Sequence, residues 1–474
     1  MIHHCDSFLK INNPFRYLSV LFLLTFILIV SSAASADEII IYDDGYPEPE
    51  IYHQESPLYV PGEIFVKFDP ELITASALSE DVIASFPELV PGLHLIRLPE
   101  GVSVEDAVEY FESQPGVIYA EPNYYLDSVS VSSSDNDIYD LSASVISDRS
   151  GSYDAGTPYL SADSENIYVP YRTIADDTLH AQSAYPSAPL FQYQWGLRNT
   201  GQYLPALGSV TTYNSSFPLT GVKGTPAADS RISGAWDITT GNKNVVVAVI
   251  DTGVLMTHPD LSHAIYRNPG EIPGNGIDDD GNGYIDDICG WDFVNDDNDP
   301  TDENGHGTHC AGIIAGSGYG IIGTAPNVTI LPVRAFDADG FGGIDDQINA
   351  IIYAQKAGAQ IASCSFGGSV FSRARYDAIK NSRLLFVCAA GNDGPETEHY
   401  PSGYDLDNII SVAAGTQNDQ FASFSNYNQT TTDLSAPGVY ILSSYITGDP
   451  SPKPAWSAQQ GTSMAAPFVS GTAA

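Results

Sequence analysis

Basic residues are scarce. Against 59 Asp plus Glu, the 474-residue chain sets only 18 Lys plus Arg, for a formal net charge of -41. A chain this acidic is repelled by phosphate backbones and anionic lipid, which argues against nucleic-acid binding and polybasic membrane docking. Cysteine is also scarce: there are 5, none in a Cys-x-x-Cys pair, so no zinc ribbon is written into the sequence. No apolar run reaches the roughly 20 residues needed to cross a membrane, and no internal repeat is visible. Apolar side chains are plentiful. A hydrophobic fraction of 43% with 11% aromatic supplies a sizeable core and excludes wholesale disorder. The length accommodates two or three domains. The acidity itself fits high solubility, binding of metal cations or a saline exterior.

The N-terminus carries an address. Lys10 and Arg16 precede an apolar run from Tyr17 to Val30, about 14 residues, followed by Ser31, Ser32, Ala33, Ala34, Ser35 and Ala36. This is the layout of a signal peptide over residues 1–36, cleaved after Ala34-Ser35-Ala36, with an uncleaved anchor as the alternative. The mature protein is therefore expected to be secreted. The sequons at Asn214, Asn327 and Asn428 are compatible with that route. Beyond the signal, Cys289, Cys310, Cys364 and Cys388 are expected as buried thiols. A bridge between Cys364 and Cys388 is the alternative if they fall on neighbouring strands.

Residues 37–57 read as an acidic leader. Residues 58–127 read as a small α+β domain. The segments 63–68, 93–98 and 117–125 alternate as strands, and Val104, Ala107, Val108 and Phe111 have helical spacing. Residues 128–188, rich in Ser, Asp and Ala, read as a linker longer than a compact domain holds as plain loop. From residue 189 onward, apolar strands at 245–250, 329–333, 361–365, 384–389 and 409–413 alternate with helical stretches at 308–316 and 344–357. That alternation predicts an α/β fold, a parallel sheet flanked by helices.

Three segments of this second region carry chemistry. Val245-Val-Val-Ala-Val-Ile-Asp-Thr-Gly253 is an apolar strand ending in Asp251, and functional groups gather at the carboxyl ends of such strands. In Asn304-Gly-His-Gly-Thr-His-Cys-Ala-Gly312, His306 stands between two glycines where a helix is expected to start. In Gly461-Thr-Ser-Met-Ala-Ala-Pro467, Ser463 opens a helix of small residues, at its positive end. Each segment is weak alone. Asp-Thr-Gly also occurs in aspartic proteases, a Gly-flanked His is usually structural, and a Ser near a helix start is usually a cap. An aspartic protease needs a second Asp-Thr/Ser-Gly, and the sequence has none.

With the order Asp, His, Ser, the region 189–474 resembles the subtilisin-like serine proteases, the subtilases. The resemblance implies a triad of Asp251, His306 and Ser463. It implies Asn392, in Leu384-Leu-Phe-Val-Cys-Ala-Ala-Gly-Asn-Asp-Gly394, as the side-chain donor to an oxyanion. It also implies an extended protein or peptide substrate between Gly340, Phe341 and Gly342 on one side and Ser365, Phe366 and Gly367 on the other. Ala389, Ala390 and Gly391 then wall the specificity pocket, with His399 near its floor. His258 and His309 match positions outside the triad. Residues 58–127 resemble a subtilase propeptide, a ferredoxin-like domain that chaperones folding and inhibits until cleaved; a permanently attached binding domain is the alternative. In the family the helix of Ser463 continues into further helices, so an incomplete C-terminus is expected.

One loop reads as a cation site on its own residues. In Gly274-Asn-Gly-Ile-Asp-Asp-Asp-Gly-Asn-Gly-Tyr-Ile-Asp-Asp287, Asp278, Asp280 and Asn282 have the 1,3,5 spacing of an EF-hand loop, followed by Gly283 and the Tyr284 carbonyl. Cys289 stands at the twelfth position, so Asp286 or Asp287 is expected to replace the usual Glu, with Ca²⁺ as the ion. An acidic solvated loop is the alternative. Asp260 matches a calcium ligand of the family. Two functions follow for comparison: a secreted endopeptidase made as a zymogen, or an inactive calcium-dependent binding protein on the same scaffold.

Overall fold

The structure, a computed structural model, describes residues 59–71, 81–128, 188–212, 217–448 and 451–474. The signal peptide, the acidic leader and nearly all of the Ser/Asp-rich linker lie outside the described residues. The chain divides into two compact units. One runs to Asn123. The other comprises Tyr124–Ala474 together with the short segment Glu88–Val90.

The first unit contains β1 (Tyr59–Phe68), β2 (Val82–Ser85), β3 (Leu93–Arg97), α1 (Val104–Glu112) and the start of β4 (Val117–Ser128). Strand order β4-β1-β3-β2, with β3 antiparallel to both neighbours, is the ferredoxin-like arrangement. Alternation in β1 turns Ile64, Val66 and Phe68 onto Val104 and Ala107 of the helix. The Ser103 hydroxyl accepts the Asp106 N–H at 3.1 Å, which starts α1, and Glu105 and Asp106 sit at its positive end. β2 has only four residues and no alternating apolar pattern strong enough to be read in advance.

The second unit is built on a seven-stranded sheet. Its strands are β5 (Val246–Asp251), β6 (Trp291–Asp292), β7 (Thr329–Arg334), β9 (Ile361–Cys364), β11 (Leu385–Ala389), β12 (Ile409–Gly415) and β13 (Leu434–Pro437), in the order β13-β12-β11-β9-β5-β7-β6. Every pairing is parallel. Two short strands outside this sheet, β8 (Phe341–Gly343) and β10 (Phe366–Gly367), account for the gaps in the numbering. Val247 and Val249 face one cluster with Cys310, Ala311, Met464 and Ala465, while the alternate residues Ala248 and Ile250 are equally buried. Both faces of β5 are therefore covered, which explains its unbroken apolar run. The covering helices are α2 (His306–Ala315), α3 (Ile344–Lys356), α4 (Arg373–Asn381) and α5 (Thr462–Ala473); α2 packs on α5 and α3 on α4. A hairpin of β14 (Ile441–Thr447) and β15 (Lys453–Gln459) lies against α2.

Cys364 and Cys388 do face each other on β9 and β11, and both remain thiols, as do Cys289 and Cys310. Burial pushes the thiols of Cys310 and Cys364 well up, so these groups are unreactive fillers of the core.

Candidate active site

Asp251 is the last residue of β5 and is 1% exposed. His306 is the first residue of α2, and its Nδ1 donates to Asp251 Oδ1 at 2.7 Å. Asp251 Oδ1 also accepts the Thr252 N–H at 2.7 Å, which fixes the carboxylate. The glycines around the histidine have a steric cause. A Cβ on Gly307 would overlap the Gly253 carbonyl oxygen and come within 3.1 Å of Asp251 Cβ. Gly253 itself has φ +104°, a region side chains avoid. The strand end and the helix start can touch only because both carry no side chain there.

A second carboxylate organises this corner. Asp302, fully buried, accepts the N–H groups of Asn304, Gly305 and Thr308 and the hydroxyls of Thr252 and Thr308, at 2.6–2.9 Å. It caps α2 and ties that helix to the residue after Asp251. Burial pushes its carboxyl up while these donors pull it down. The sequence alone assigns Asp302 no role. Its signal was the Asp four residues before His306, ahead of a helix that lacks any other capping side chain.

Ser463 is the second residue of α5 and is fully buried. Its hydroxyl donates to the Ser365 carbonyl at 3.2 Å, and its own carbonyl accepts the Ser365 hydroxyl at 3.0 Å. The Cys310 thiol, one turn beyond His306, reaches the same Ser463 carbonyl at 3.5 Å. Polar atoms of Cys310, Asp251 and His306 all lie within 4.8 Å of one another. Cys310 thus stands between the Asp251–His306 pair and the backbone of Ser463. Asn392 follows β11, and its Oδ1 accepts both the N–H and the hydroxyl of Thr462 at 3.0 Å. That acceptor ties Asn392 to the residue before Ser463.

The residues proposed to hold substrate are strand edges. β8 and β10 both pair antiparallel with the last residues of β4: Phe341 with Asp127, Gly342 with Leu126, Gly343 with Tyr125, Phe366 with Ser128 and Gly367 with Asp127. An extended segment of the chain itself thus lies between these edges. Gly342 is required by closeness, since a Cβ there would overlap the Ala335 carbonyl. The Phe341 ring is 52% exposed. Ala389 and Ala390 are buried, and His399 contacts Gly367 and Gly391.

Residues 242–474 match the family model described as the subtilase family, and residues 48–123 match the fervidolysin N-terminal prodomain. A thermophilic serine proteinase of Bacillus sp. (strain AK1) is 42% identical over 246 residues, 51% of this chain and 54% of that protein. Thermitase of Thermoactinomyces vulgaris is 40% identical over 245 residues, 50% of this chain and 76% of that protein. The chain belongs to the subtilase family. Fervidolysin of Fervidobacterium pennivorans, described as a keratinolytic enzyme related to subtilisin, shares the fold at a TM-score of 0.57 and 23% identity, over 87% of this chain and 54% of that one. The chain therefore spans about half the length of the first of these relatives and of fervidolysin.

Two further histidines of this subtilase lie outside the aspartate–histidine–serine corner. His309 Nε2 contacts the carbonyls of Ile441 and Ser457 at 3.1 Å, and burial pushes its pKa down to about 3. His258 contacts the Ala455 carbonyl at 2.9 Å and accepts the Asp260 N–H at 3.1 Å; burial lowers its pKa too. Each is a neutral tie between helix or loop and the hairpin.

The acidic loop differs from the sequence reading. Oxygens of Glu271, Asp278 and Asp280 lie within 4.8 Å of one another. Asp286 and Asp287 do not complete that group. The Asp286 carboxylate accepts the N–H groups of Gly274, Asn275 and Gly276 at 2.7–3.2 Å. Asp287, fully buried, is held by Tyr353, Asn268 and Asn282 at 2.8–3.2 Å. Asn282 turns its amide to Asp280 and Asp287, and its Oδ1 accepts the Tyr284 N–H, so its side chain braces the loop. The Tyr284 ring packs on Tyr353 and Trp291. The carboxylate that closes the group is Glu271, which precedes the loop and was missed because a 1-to-12 count starts at Asp278. Asp260 stands apart. Its oxygens accept Trp456 Nε1 at 2.7 Å and the N–H groups of Gly320 and Ile321 at 2.9 and 3.3 Å, so this carboxylate ties the loop to the hairpin.

Proposed function

We propose that this subtilase is a secreted serine endopeptidase made as a zymogen. The observation that carries the reading is the buried Asp251–His306 pair at 2.7 Å, set beside a serine at the start of a helix. His306 Nε2 takes the proton of Ser463 as Oγ attacks the substrate carbonyl carbon. Asp251 holds Nδ1 protonated and stabilises the imidazolium. The Asn392 amide and the Ser463 N–H, at the positive end of α5, receive the oxyanion. As the C–N bond breaks, His306 passes the proton to the leaving amine. Water then hydrolyses the acyl ester by the same route. Backbone pairing to β8 and β10 supplies affinity for extended peptides with little dependence on side chains. The pairing of Tyr125–Ser128 with those edges supports residues 58–127 as the chain's own inhibitor and folding partner. The test is maturation and peptide hydrolysis by wild type and Ser463→Ala. Loss of both in the variant supports the reading, and a variant that still processes itself and cuts peptides contradicts it.

We further propose one structural Ca²⁺ held by Glu271, Asp278 and Asp280. The donor set fits a hard cation: three carboxylates converge, and among the described residues no Lys or Arg pairs with them. Such a cation would offset the repulsion that the three charges otherwise impose on the loop. No helix among the described residues is long and apolar enough to cross a membrane.

A further inference from the structure

One of the chain's few cations lies in the core. Arg375 stands on the inner face of α4 with Ala374, Ala378 and Ile379, where the helical period calls for an apolar side chain. The residue is fully buried. Arginine is almost never enclosed in this way unless it is paired, and among the described residues no Asp or Glu forms an ion pair with it. Its head group has two neutral ties instead. Nε donates to the Tyr404 hydroxyl at 3.2 Å, and Nη1 donates to Gln347 Oε1 of α3 at 2.9 Å. The Tyr404 hydroxyl donates onward to the Ser372 carbonyl at 2.9 Å, and the Ser372 hydroxyl accepts the Arg375 N–H at 3.2 Å. The guanidinium is thus built into the junction of α3, α4 and the segment around Tyr404.

Two donors are left over at this junction. Arg375 Nη2 is closed off from solvent and meets no acceptor among the described residues, and the same holds for Nε2 of Gln347, whose Oε1 already takes Nη1. Both side chains are fully buried. Turning the Gln347 amide over does not help, because it sets N–H against N–H. The two titratable groups whose charge states sense the guanidinium supply no negative charge. Burial pushes the Cys364 thiol well up, so it stays protonated, and burial pushes the His399 pKa down to about 3, so its ring stays neutral. A water molecule can accept from such donors, but it leaves the positive charge uncompensated. An unpaired buried charge is far costlier than an unpaired dipole.

We propose that Arg375 Nη2 and Gln347 Nε2 hold a small monovalent anion of the halide class, such as chloride, between α3 and α4. Sulfate and phosphate carry more charge and more acceptor oxygens than one guanidinium and one amide can satisfy in an enclosed site. A halide balances the single positive charge and accepts from both donors. It ties α3 to α4 and, through the Tyr404 hydroxyl, to the loop that follows His399. The formal net charge of -41 disfavours anions at the protein surface, so a saturable response to chloride reports an interior site. The proposal does not depend on the endopeptidase reading.

The experiment measures Tm of the full chain carrying Ser463→Ala while potassium gluconate is replaced stepwise by potassium chloride. Ionic strength and calcium are held constant, and gluconate is too large for the site. Tm is expected to rise and saturate, by about 4–5 °C once chloride reaches 100 times its Kd. Arg375→Leu in the same chain removes the charge and restores an apolar residue to the inner face of α4. It is expected to lose the chloride response and to melt in gluconate at or above the temperature of its parent. A crystal grown in bromide is the second measurement, should the leucine variant fail to fold: an anomalous peak within hydrogen-bond reach of Nη2 is expected. A Tm indifferent to the exchange of gluconate for chloride overturns the proposal. So does an equal response in Arg375→Leu, or a water without bromide beside Nη2.

Discussion

The aspartate–histidine corner and the acidic loop both place buried carboxylates but obey different rules. At the corner, each functional side chain hangs on a regular element: the end of β5, the start of α2 and the start of α5. The close approach of Gly253 to Gly307 allows a single arrangement. In the loop 271–287, carboxylates choose among many backbone N–H groups of their own segment. Asp278 takes those of Gly281, Asn282 and Gly283, and Glu271 takes those of Asp279, Asp280 and Asp286. Motif spacing locates a group when helix or strand fixes its direction. It misplaces a group when a loop can close on itself in several ways.

Ser463→Ala should lower kcat by about a millionfold, the scale known for loss of the nucleophile in subtilisin. Asn392→Ala should lower kcat by about 100- to 1,000-fold with KM little changed, because the donor acts on charge that develops only in the transition state. Equal losses in kcat and in substrate affinity would instead mark Asn392 as a binding or structural residue.

In the loop the expected effects are smaller. A cation at 100 times its Kd adds about 2.7 kcal/mol, so a chelator should lower Tm by about 4–5 °C for a unit of this size. Glu271→Gln should abolish that shift. Asp287→Asn should lower Tm on its own, through Tyr353 and Asn268, and keep the shift. The reverse pattern would restore the EF-hand spacing.

The smallest effect is a pH dependence. His309 has a folded pKa of about 3, below the ordinary 6.5, so the unfolded chain binds its proton first as pH falls. Its contribution is complete above about pH 6.5 and is lost as pH falls toward 3. That amounts to about 2 kcal/mol between pH 6.5 and 5. The measure is Tm at both pH values for Ser463→Ala with and without His309→Gln. Asp302, Asp287 and Asp292, raised by burial, act in the opposite sense and cancel between the two proteins. An equal slope in both would show that His309 carries no such linkage.

Much of the fold was legible because its strands are short, apolar and separated by helices of matching period. Val247–Ile250 can only be a doubly covered strand, and the two helices predicted at 308–316 and 344–357 fall within about two residues of α2 and α3. The hairpin of β14 and β15 was not legible, because its polar Ser443, Ser444 and Ser457 are buried, leaving no alternating apolar pattern. Glu271 lies before the segment whose 1-to-12 spacing is countable, and Asp302 reads as a cap only once the helix start at His306 is fixed. His399 could be placed near the pocket from the sequence, but its contact with both glycine walls required coordinates.

The central claim is that Asp251 and His306 make the hydroxyl of Ser463 nucleophilic. Intact-mass analysis after exposure to a fluorophosphonate tests it directly, in wild type and in His306→Ala. The account predicts one adduct per chain, on the peptide bearing Ser463, and no adduct in the variant over the same time. An adduct on another residue, or equal labelling of the two proteins, would contradict it.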